Sequence, residues 1–137
     1  MIVGEIQSLL WGDGTIRNRF ATYDFGDTVE KPAIFLTEIP DDCHNPCMQI
    51  MQSGGGRFTD RGHRGWEVDI DILLRGDKLY TDKGLHDLAW DIVLALDRQH
   101  LTIDGWDEMG IECQAPQYSF DSDGFPQYRI DVMVRAM

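Results

Sequence analysis

The chain has 137 residues, of which 42% are hydrophobic and 26% are charged. These proportions are typical of a folded globular domain and exclude a wholly disordered chain. Twelve basic residues against 24 acidic ones give a formal net charge of −12, which disfavours tight binding to nucleic-acid phosphates or to anionic membranes. A pore through which DNA slides without adhering stays compatible with this charge.

The sequence predicts neither a membrane span nor a secretory signal. No run approaches the roughly 18 consecutive apolar residues of a transmembrane helix, and residues 1–5 lack the basic start and apolar core of a signal peptide. The three cysteines, Cys43, Cys47 and Cys113, are an odd number, which suits a reducing compartment better than a disulfide scaffold. We therefore expect a soluble protein made in a cytoplasm.

The first third of the chain predicts one short helix and two short strands. Apolar residues recur at helical spacing over residues 2–11, which indicates an amphipathic helix. Residues 12–32 are polar and predict a loop with one extended piece at 16–23. Residues 33–37 predict a first strand, and Cys47–Gln52 predicts a second one.

A glycine-rich segment follows the second strand. Residues 53–65 begin with a serine and three glycines and continue with polar and charged residues that cannot build a core. A long segment of this kind in a compact domain usually has a function. We expect a flexible hairpin arm that becomes ordered on assembly. Its candidate contact residues are Gly54, Gly55, Gly56, Arg57, Arg61 and Arg64.

Two later segments alternate apolar and polar residues with a period of two, which is typical of strands with one buried face. They are residues 66–75 and 127–135. Residues 109–120 predict a further extended run, and Asp121–Gly124 predicts a hairpin turn before the last strand. The predicted buried face consists of Trp66, Val68, Ile70, Ile72, Leu74, Tyr128, Ile130, Val132 and Val134.

One strong amphipathic helix is predicted over residues 82–98, with Asp82 or Thr81 as its N-cap. The elements then predict an α+β fold: a single antiparallel or mixed sheet of about four to five strands, packed against one long and one short helix. One domain spans residues 1–137. The core stripe of the long helix is predicted to be Leu85, Leu88, Ala89, Ile92, Val93 and Leu96.

Trp90 and Leu94 lie off this stripe and are neighbours at i and i+4. A monomer gains nothing from these side chains on its wet face, and buried aromatic residues are the usual anchors of protein interfaces. We predict that both contact a neighbouring subunit or an assembly partner. The alternative is that the segment 104–110 of the same subunit covers them. The flanking interface candidates are Asp87, Asp91 and Arg98.

Cys43, His44 and Cys47 have a spacing that resembles part of a zinc site. Zinc requires four ligands, usually from two cysteine or histidine pairs, and no suitable second pair follows in the sequence. We interpret the segment as a turn before a strand with small, semi-buried thiols, and we predict no metal there.

Glu67, Asp69 and Asp71 place three carboxylates on one face of a strand, a geometry that can hold Mg²⁺ in nucleases. Such enzymes add a lysine or glutamate in a short partner motif, which the neighbouring sequence lacks. We interpret the row as an acidic surface, facing solvent or a lumen, that Arg129 and Arg135 of a neighbouring strand counter.

Other matches to functional motifs are incomplete. The Asp121–Gly124 segment lacks the bidentate glutamate of a calcium loop, and no Gly-Lys-Ser/Thr sequence follows the glycines at 54–56. The sequence also has no G-x-S-x-G nucleophile elbow. It therefore predicts neither an enzyme nor a cofactor.

The order and spacing of the elements resemble a known family. Five segments carry its pattern. They are Ile34–Pro40, Pro46–Ile50 with a proline before the strand, Trp66–Ile72, the helix Leu88–Asp97 with its Ala-Leu-Asp ending, and Tyr128–Val132. This arrangement is similar to the tail-terminator (tail-completion) proteins of long-tailed bacteriophages and related tail-like particles. The resemblance covers nearly the whole chain.

The resemblance implies a structural virion protein without a reaction or a cofactor. It implies that six small subunits form a ring that caps the tail tube, ends its polymerisation and joins the tail to the head or neck. The implied partners are further copies, the tail tube protein and a head–tail connector or neck protein, while DNA passes through without specific binding. The implied location is the virion, after assembly in the host cytoplasm.

Two alternatives stay open. One is another neck component, such as a head-completion or connector protein. The other is a small metal-dependent hydrolase that uses Glu67, Asp69 and Asp71.

Overall fold

The structure is a computed structural model that describes residues 2–26, 30–60, 63–77, 82–97, 99–103 and 106–136, with side chains except at 57–60, 63–66, 82–83, 100–103, 106–109 and 136. Its helices are α1 (Ile2–Gly12), α2 (Gly14–Arg17) and α3 (Asp82–Leu96). Its strands are β1 (Thr22–Asp24), β2 (Glu30–Pro32), β3 (Ile34–Phe35), β4 (Cys47–Asp60), β5 (His63–Arg75), β6 (His100–Ile103), β7 (Trp106–Cys113), β8 (Gln117–Phe120) and β9 (Pro126–Ala136). Among the described helices, none has the length and apolar character needed to cross a membrane.

Within the described residues, seven strands form one mixed sheet in the order β3-β4-β5-β9-β7-β6, and β8 pairs with β9 as well. The pair β3–β4 is parallel, whereas the other pairs are antiparallel. β1 and β2 form a separate two-stranded ribbon. The α+β class is confirmed. The predicted four to five strands are too few, because strands of two to four residues are too short to show a period in the sequence.

The core lies between the sheet and the helices α1 and α3. The predicted stripe of α3 is buried throughout, as are the alternate residues of β5 from Ile70 to Leu74 and of β9 from Tyr128 to Val134. Val68 is partly buried against the same cluster. Helix α1 contributes Val3, Ile6 and Leu10. Trp66 was predicted on this face, but its side chain lies outside the described ones.

The prediction of extended backbone over residues 16–23 is wrong for most of that range. Asp13 caps α2, since its Oδ1 accepts hydrogen bonds from the backbone N–H groups of Thr15 (3.0 Å) and Ile16 (3.3 Å). The cap starts a new helical turn directly after Gly12 and buries Ile16 in the core. Extended backbone begins only at Thr22.

The predicted hairpin arm is a continuous antiparallel ladder of β4 and β5. Their register runs from Cys47↔Arg75 to Asp60↔His63 and shifts once, between Gln52 and Gly54. The glycines at 54–56 therefore belong to a strand, and the predicted end of that strand at Gln52 is wrong. A bulge absorbs the shift and lets pairing resume. Arg61 lies outside the described residues, and the mobility of the arm stays a prediction.

The predicted hairpin turn at Asp121–Gly124 is confirmed. β8 and β9 pair up to Phe120↔Pro126, and the Asp121 N–H donates to the Phe125 carbonyl oxygen at 3.0 Å. The Asp121 carboxylate accepts from the backbone N–H groups of Asp123 and Phe125 at 2.9 and 2.8 Å. Such a side-chain turn fixes where β9 begins.

Candidate functional site

The outer face of α3 carries the two residues predicted as interface anchors. Trp90 is 40% exposed and Leu94 is 71% exposed, while Asp87 beside them is also exposed. This exposure agrees with the predicted position off the core stripe. The contact itself stays a prediction. The other predicted flank, Arg98, and the side chains at 104–109 lie outside the described part.

Asp91 is held within the subunit. Its carboxylate forms an ion pair with Arg19, which follows α2 in the chain, and the same guanidinium donates to the Gly84 carbonyl oxygen at 3.4 Å. The pair fastens the segment after α2 to α3. Asp91 therefore has a partner in the monomer, whereas Asp87, which the same prediction grouped with it, is exposed.

Five rings continue the exposed face of α3 across the sheet; we call them the aromatic row. Phe120 lies 5.2 Å from Tyr118 between ring centroids, and Tyr118 lies 5.0 Å from Tyr128. His86 follows at 5.8 Å from Tyr128 and 6.4 Å from Trp90. Phe120 is 62% exposed. The sequence prediction missed Tyr118 and Phe120, although two aromatic residues at i and i+2 in a polar strand are a recognisable signal.

Glu67, Asp69 and Asp71, which we call the acidic row, lie on the sheet face that is turned away from the helices. Arg135 Nε donates to Glu67 Oε2 at 3.3 Å, and Arg129 Nη2 donates to Asp71 Oδ2 at 3.1 Å. The antiparallel register of β5 and β9 places Glu67 directly opposite Arg135. The carboxylates of Asp71 and Asp131 raise the pKa of Arg129. The predicted countering by Arg129 and Arg135 is thus confirmed for Glu67 and Asp71.

A shallow depression of about 310 Å³ lies on this face. Its charged lining residues are four carboxylates and Arg129, and Arg129 binds two of these carboxylates. Within the described side chains, no three histidine, cysteine or acidic groups are placed to hold a metal ion. The geometry is that of an ion-paired surface. The lining includes Ser53, Asp69, Asp71, Glu112, Arg129 and Asp131.

The thiols of the zinc-like segment are buried and protonated. Cys47 Sγ donates to Asn45 Oδ1 at 3.0 Å, and the same oxygen accepts from Arg75 Nε at 3.0 Å. Burial raises the pKa of Cys47 to about 11 and that of Cys113 to about 12. Burial also raises the pKa of Cys43. Metal binding and nucleophilic attack require the thiolate, so these environments favour a packing role.

A second aromatic cluster lies where α1, β1 and β3 meet, beside a depression of about 570 Å³. The Tyr23 ring lies 5.6 Å from Phe25 and 5.1 Å from Phe35, and Trp11 lies 5.7 Å from Phe25. The sequence prediction missed this cluster because its rings come from segments far apart in the chain. We call the depression the aromatic groove. Its lining includes Trp11, Tyr23, Phe25, Phe35, Leu36 and Pro40.

Comparison with known proteins identifies a solved structure with a similar fold. No protein-family model and no curated protein sequence matches it. Among solved structures, it is similar to a chain in the virion of a native gene transfer agent particle, with a TM-score of 0.71 and 15% sequence identity. The similarity covers 98% of this chain and 92% of that chain. The two chains therefore share a fold over nearly their whole length.

Proposed function

We propose that the chain is a structural protein of a phage-like virion, and that its role there is that of a tail terminator. Six copies would form a ring that caps the tail tube, ends its polymerisation and joins the tail to the neck. The observation that carries this proposal is the similarity of nearly the whole fold to a chain of a gene transfer agent virion. The order of elements that resembles the tail-terminator family supports the finer assignment.

The surface chemistry supports an assembly role. Phe120, Trp90 and Leu94 are exposed, and the aromatic row connects Phe120 to Trp90. Large exposed apolar side chains are typical of protein contacts. The thiols are buried with raised pKa values, and Glu67 and Asp71 are ion-paired. These features favour a subunit that works by contact over one that works by catalysis.

The charge of the chain suits a ring through which DNA passes. At −12 the subunit repels phosphates, since tight binding to DNA depends on lysine and arginine. We assign the face that carries Glu67, Asp69 and Asp71 as the candidate lumen or outer acidic face. Arg129 and Arg135 on this face are bound to carboxylates, which reduces their attraction for phosphate.

The proposed partners are further copies of the chain, the tail tube protein and a connector or neck protein. The proposed location is the virion, reached after assembly in the host cytoplasm. Trp90 and Leu94 are the proposed anchors toward a neighbouring subunit or the tube.

The test is electron microscopy of purified tail tubes of the same particle, incubated with the full chain. We expect rings at tube ends and arrested tube growth. A Trp90→Ala, Leu94→Ser variant should fold and leave the ends uncapped, whereas Asp123→Arg, an exposed change in the β8–β9 turn, should behave like the wild type. Rings on portal vertices instead of tube ends would identify another neck component. Magnesium-dependent nuclease activity that is lost on Asp69→Asn and Asp71→Asn would identify a hydrolase.

A further inference from the structure

The hydrogen-bond donors on the rings of the aromatic groove are already engaged inside the subunit. Trp11 Nε1 donates to the Pro32 carbonyl oxygen at 3.1 Å, and the Tyr23 hydroxyl donates to Asp42 Oδ1 at 3.2 Å. The two phenylalanine rings of the lining carry no polar atoms. A ligand in the groove therefore meets the faces and edges of rings, while both ring donors point to partners of their own.

These engaged donors disfavour ligands that bring acceptor oxygens, such as the carbonyl groups of a proline-rich peptide. A polar group that leaves water without a new hydrogen bond costs free energy. The amide of Gln7, a further lining residue, is engaged as well, because its Nε2 donates to the Ile34 carbonyl oxygen at 2.7 Å. The groove is better suited to a group that binds the ring faces directly.

Asp24 is the charged residue of the lining. Its side chain is exposed, and its Oδ1 accepts from the Gly26 N–H at 2.8 Å, which orients the carboxylate. The next residue, Phe25, also lines the groove, and its side chain is 39% exposed. A ring face beside a carboxylate attracts cations, above all guanidinium, which is planar, weakly hydrated and stacks on rings.

The Trp11 ring is already in contact with a cation. Lys31, which lies outside the lining of the groove, has its Nζ at 4.8 Å from the centroid of the Trp11 ring. The ring therefore accepts a positive charge in the folded subunit. Together with Asp24, this contact indicates that the ligand class of the groove is cationic.

The basic side chains of this chain are a poor source of that cation. Each of the six that the structure describes has a contact within its own subunit, and the net charge of the chain is −12. The described part of a second copy therefore offers the groove no basic side chain without a partner, so the cation belongs to a different protein. The six are Arg17, Arg19, Lys31, Arg75, Arg129 and Arg135.

We propose that the aromatic groove binds an arginine side chain of a basic partner protein, which is not a copy of this chain. The guanidinium would lie against the exposed Phe25 ring and pair with the Asp24 carboxylate. The inference goes beyond the proposed function and does not rest on it. It adds a surface for a basic partner, formed by other residues than Trp90 and Leu94.

The experiment measures binding of a dye-labelled peptide to the full chain by fluorescence anisotropy. The peptide carries two arginines among glycines and serines, and two matched peptides carry lysine or the uncharged isostere citrulline instead. We expect the arginine peptide to bind about 10-fold or more tightly than the citrulline peptide, because only the former offers a cation. The lysine peptide should bind more weakly than the arginine peptide, since an ammonium group is more strongly hydrated.

Four variants separate the groove from the general negative charge of the chain. Asp24→Asn removes the carboxylate but keeps the oxygen that accepts from Gly26, and Asp123→Asn removes the same charge in the β8–β9 turn. Phe25→Leu and Phe120→Leu each remove one exposed ring. We expect about fivefold weaker binding of the arginine peptide for the two groove variants, and a change of about twofold or less for the two controls. Thermal unfolding checks that each variant is folded.

Several results would overturn the proposal. They are equal binding of the arginine and citrulline peptides, binding of the lysine peptide that is as tight as that of the arginine peptide, or equal losses for Asp24→Asn and Asp123→Asn. Sedimentation velocity tests the choice of partner. We expect Asp24→Asn to self-associate like the wild type, and a loss of self-association in this folded variant would make a second copy the occupant and overturn the proposed partner. Peptide binding tests the groove whether or not the chain caps tail tubes.

Discussion

Gly55 is the residue at which the backbone of the hairpin depends most on a missing side chain. Its φ of +137° lies in the region that favours glycine, and a Cβ there would stand 2.4 Å from the Glu67 carbonyl oxygen. We expect Gly55→Ala to lower the free energy of unfolding by about 1–3 kcal/mol, through strain and loss of pairing. Chemical denaturation measures the effect.

The neighbouring glycine provides the matched control. A Cβ at Gly56 would meet nothing within 4 Å, and its φ is not positive. Gly56→Ala should therefore change stability by about 0.5 kcal/mol or less. Equal losses in the two variants would show that Gly55 has no special conformational role and that the bulge is readily displaced.

The buried thiol of Cys47 should make the free energy of unfolding fall at alkaline pH. Its pKa in the folded protein is raised to about 11 by burial, whereas an unfolded thiol titrates near 8.5. Above pH 8.5 the unfolded state loses a proton that the folded state keeps, so stability falls as the pH rises. The slope approaches about 1.4 kcal/mol per pH unit until the folded thiol also ionises.

The measurement compares wild type with Cys47→Ala in denaturant at pH 8 and pH 10. The variant lacks this thiol, so its stability should fall less over the interval. The two proteins share every other titrating group, which removes the contributions of lysines and tyrosines. Parallel losses in both proteins would contradict the role assigned to Cys47.

At the level of elements, α3 carries core residues on one face and exposed residues on another. Leu88 is 1% exposed and Leu94 is 71% exposed. We expect Leu88→Ala to cost about 2–5 kcal/mol in unfolding free energy, and Leu94→Ala about 0.5 kcal/mol or less. Thermal or chemical unfolding of the isolated subunit tests this. A large loss for Leu94→Ala would place that side chain in the monomer's own core.

The elements that could be predicted are those whose pattern repeats. In helix α3 apolar residues recur at helical spacing, and in strands β5 and β9 apolar and polar residues alternate. These patterns extend over many residues, so both the type of each element and its buried face follow from the sequence. Short strands such as β2 and β6 are fixed by pairing with a neighbouring strand, and no local pattern marks them. The N-cap at Asp13 shows a third case, because the helical turn that it caps, Gly14–Arg17, overlaps the start of the run that was expected to be extended.

At the scale of the whole molecule, the candidate surfaces depend on contacts that cross the chain. The ion pairs of the acidic row could be anticipated, because Arg129 and Arg135 lie on one face of a strand that the sequence analysis interpreted as a neighbour of β5. The aromatic groove could not, since Trp11 and Phe35 meet only once β3 pairs in parallel with β4. Parallel pairing leaves no hairpin signal in the sequence.

The hairpin arm provides the last prediction. Replacing residues 58–65 with Asn-Gly would close a two-residue hairpin directly after the Arg57↔Trp66 pair. Every pairing between β5 and β9 is retained, because it ends at Trp66. We therefore expect the free energy of unfolding to stay within about 1 kcal/mol of the wild type, while ring formation and tube capping fail.

Two measurements on the same shortened protein separate folding from assembly. Denaturation of the free subunit reports whether the sheet and core are intact, and electron microscopy with tube protein reports whether tube ends are capped. A shortened chain that unfolds like the wild type but caps nothing would assign the arm to assembly. If the shortened chain folds and still caps tubes, the arm is a tolerated insertion, and the contacts that build the ring must lie on the helix face of Trp90 and Leu94 instead.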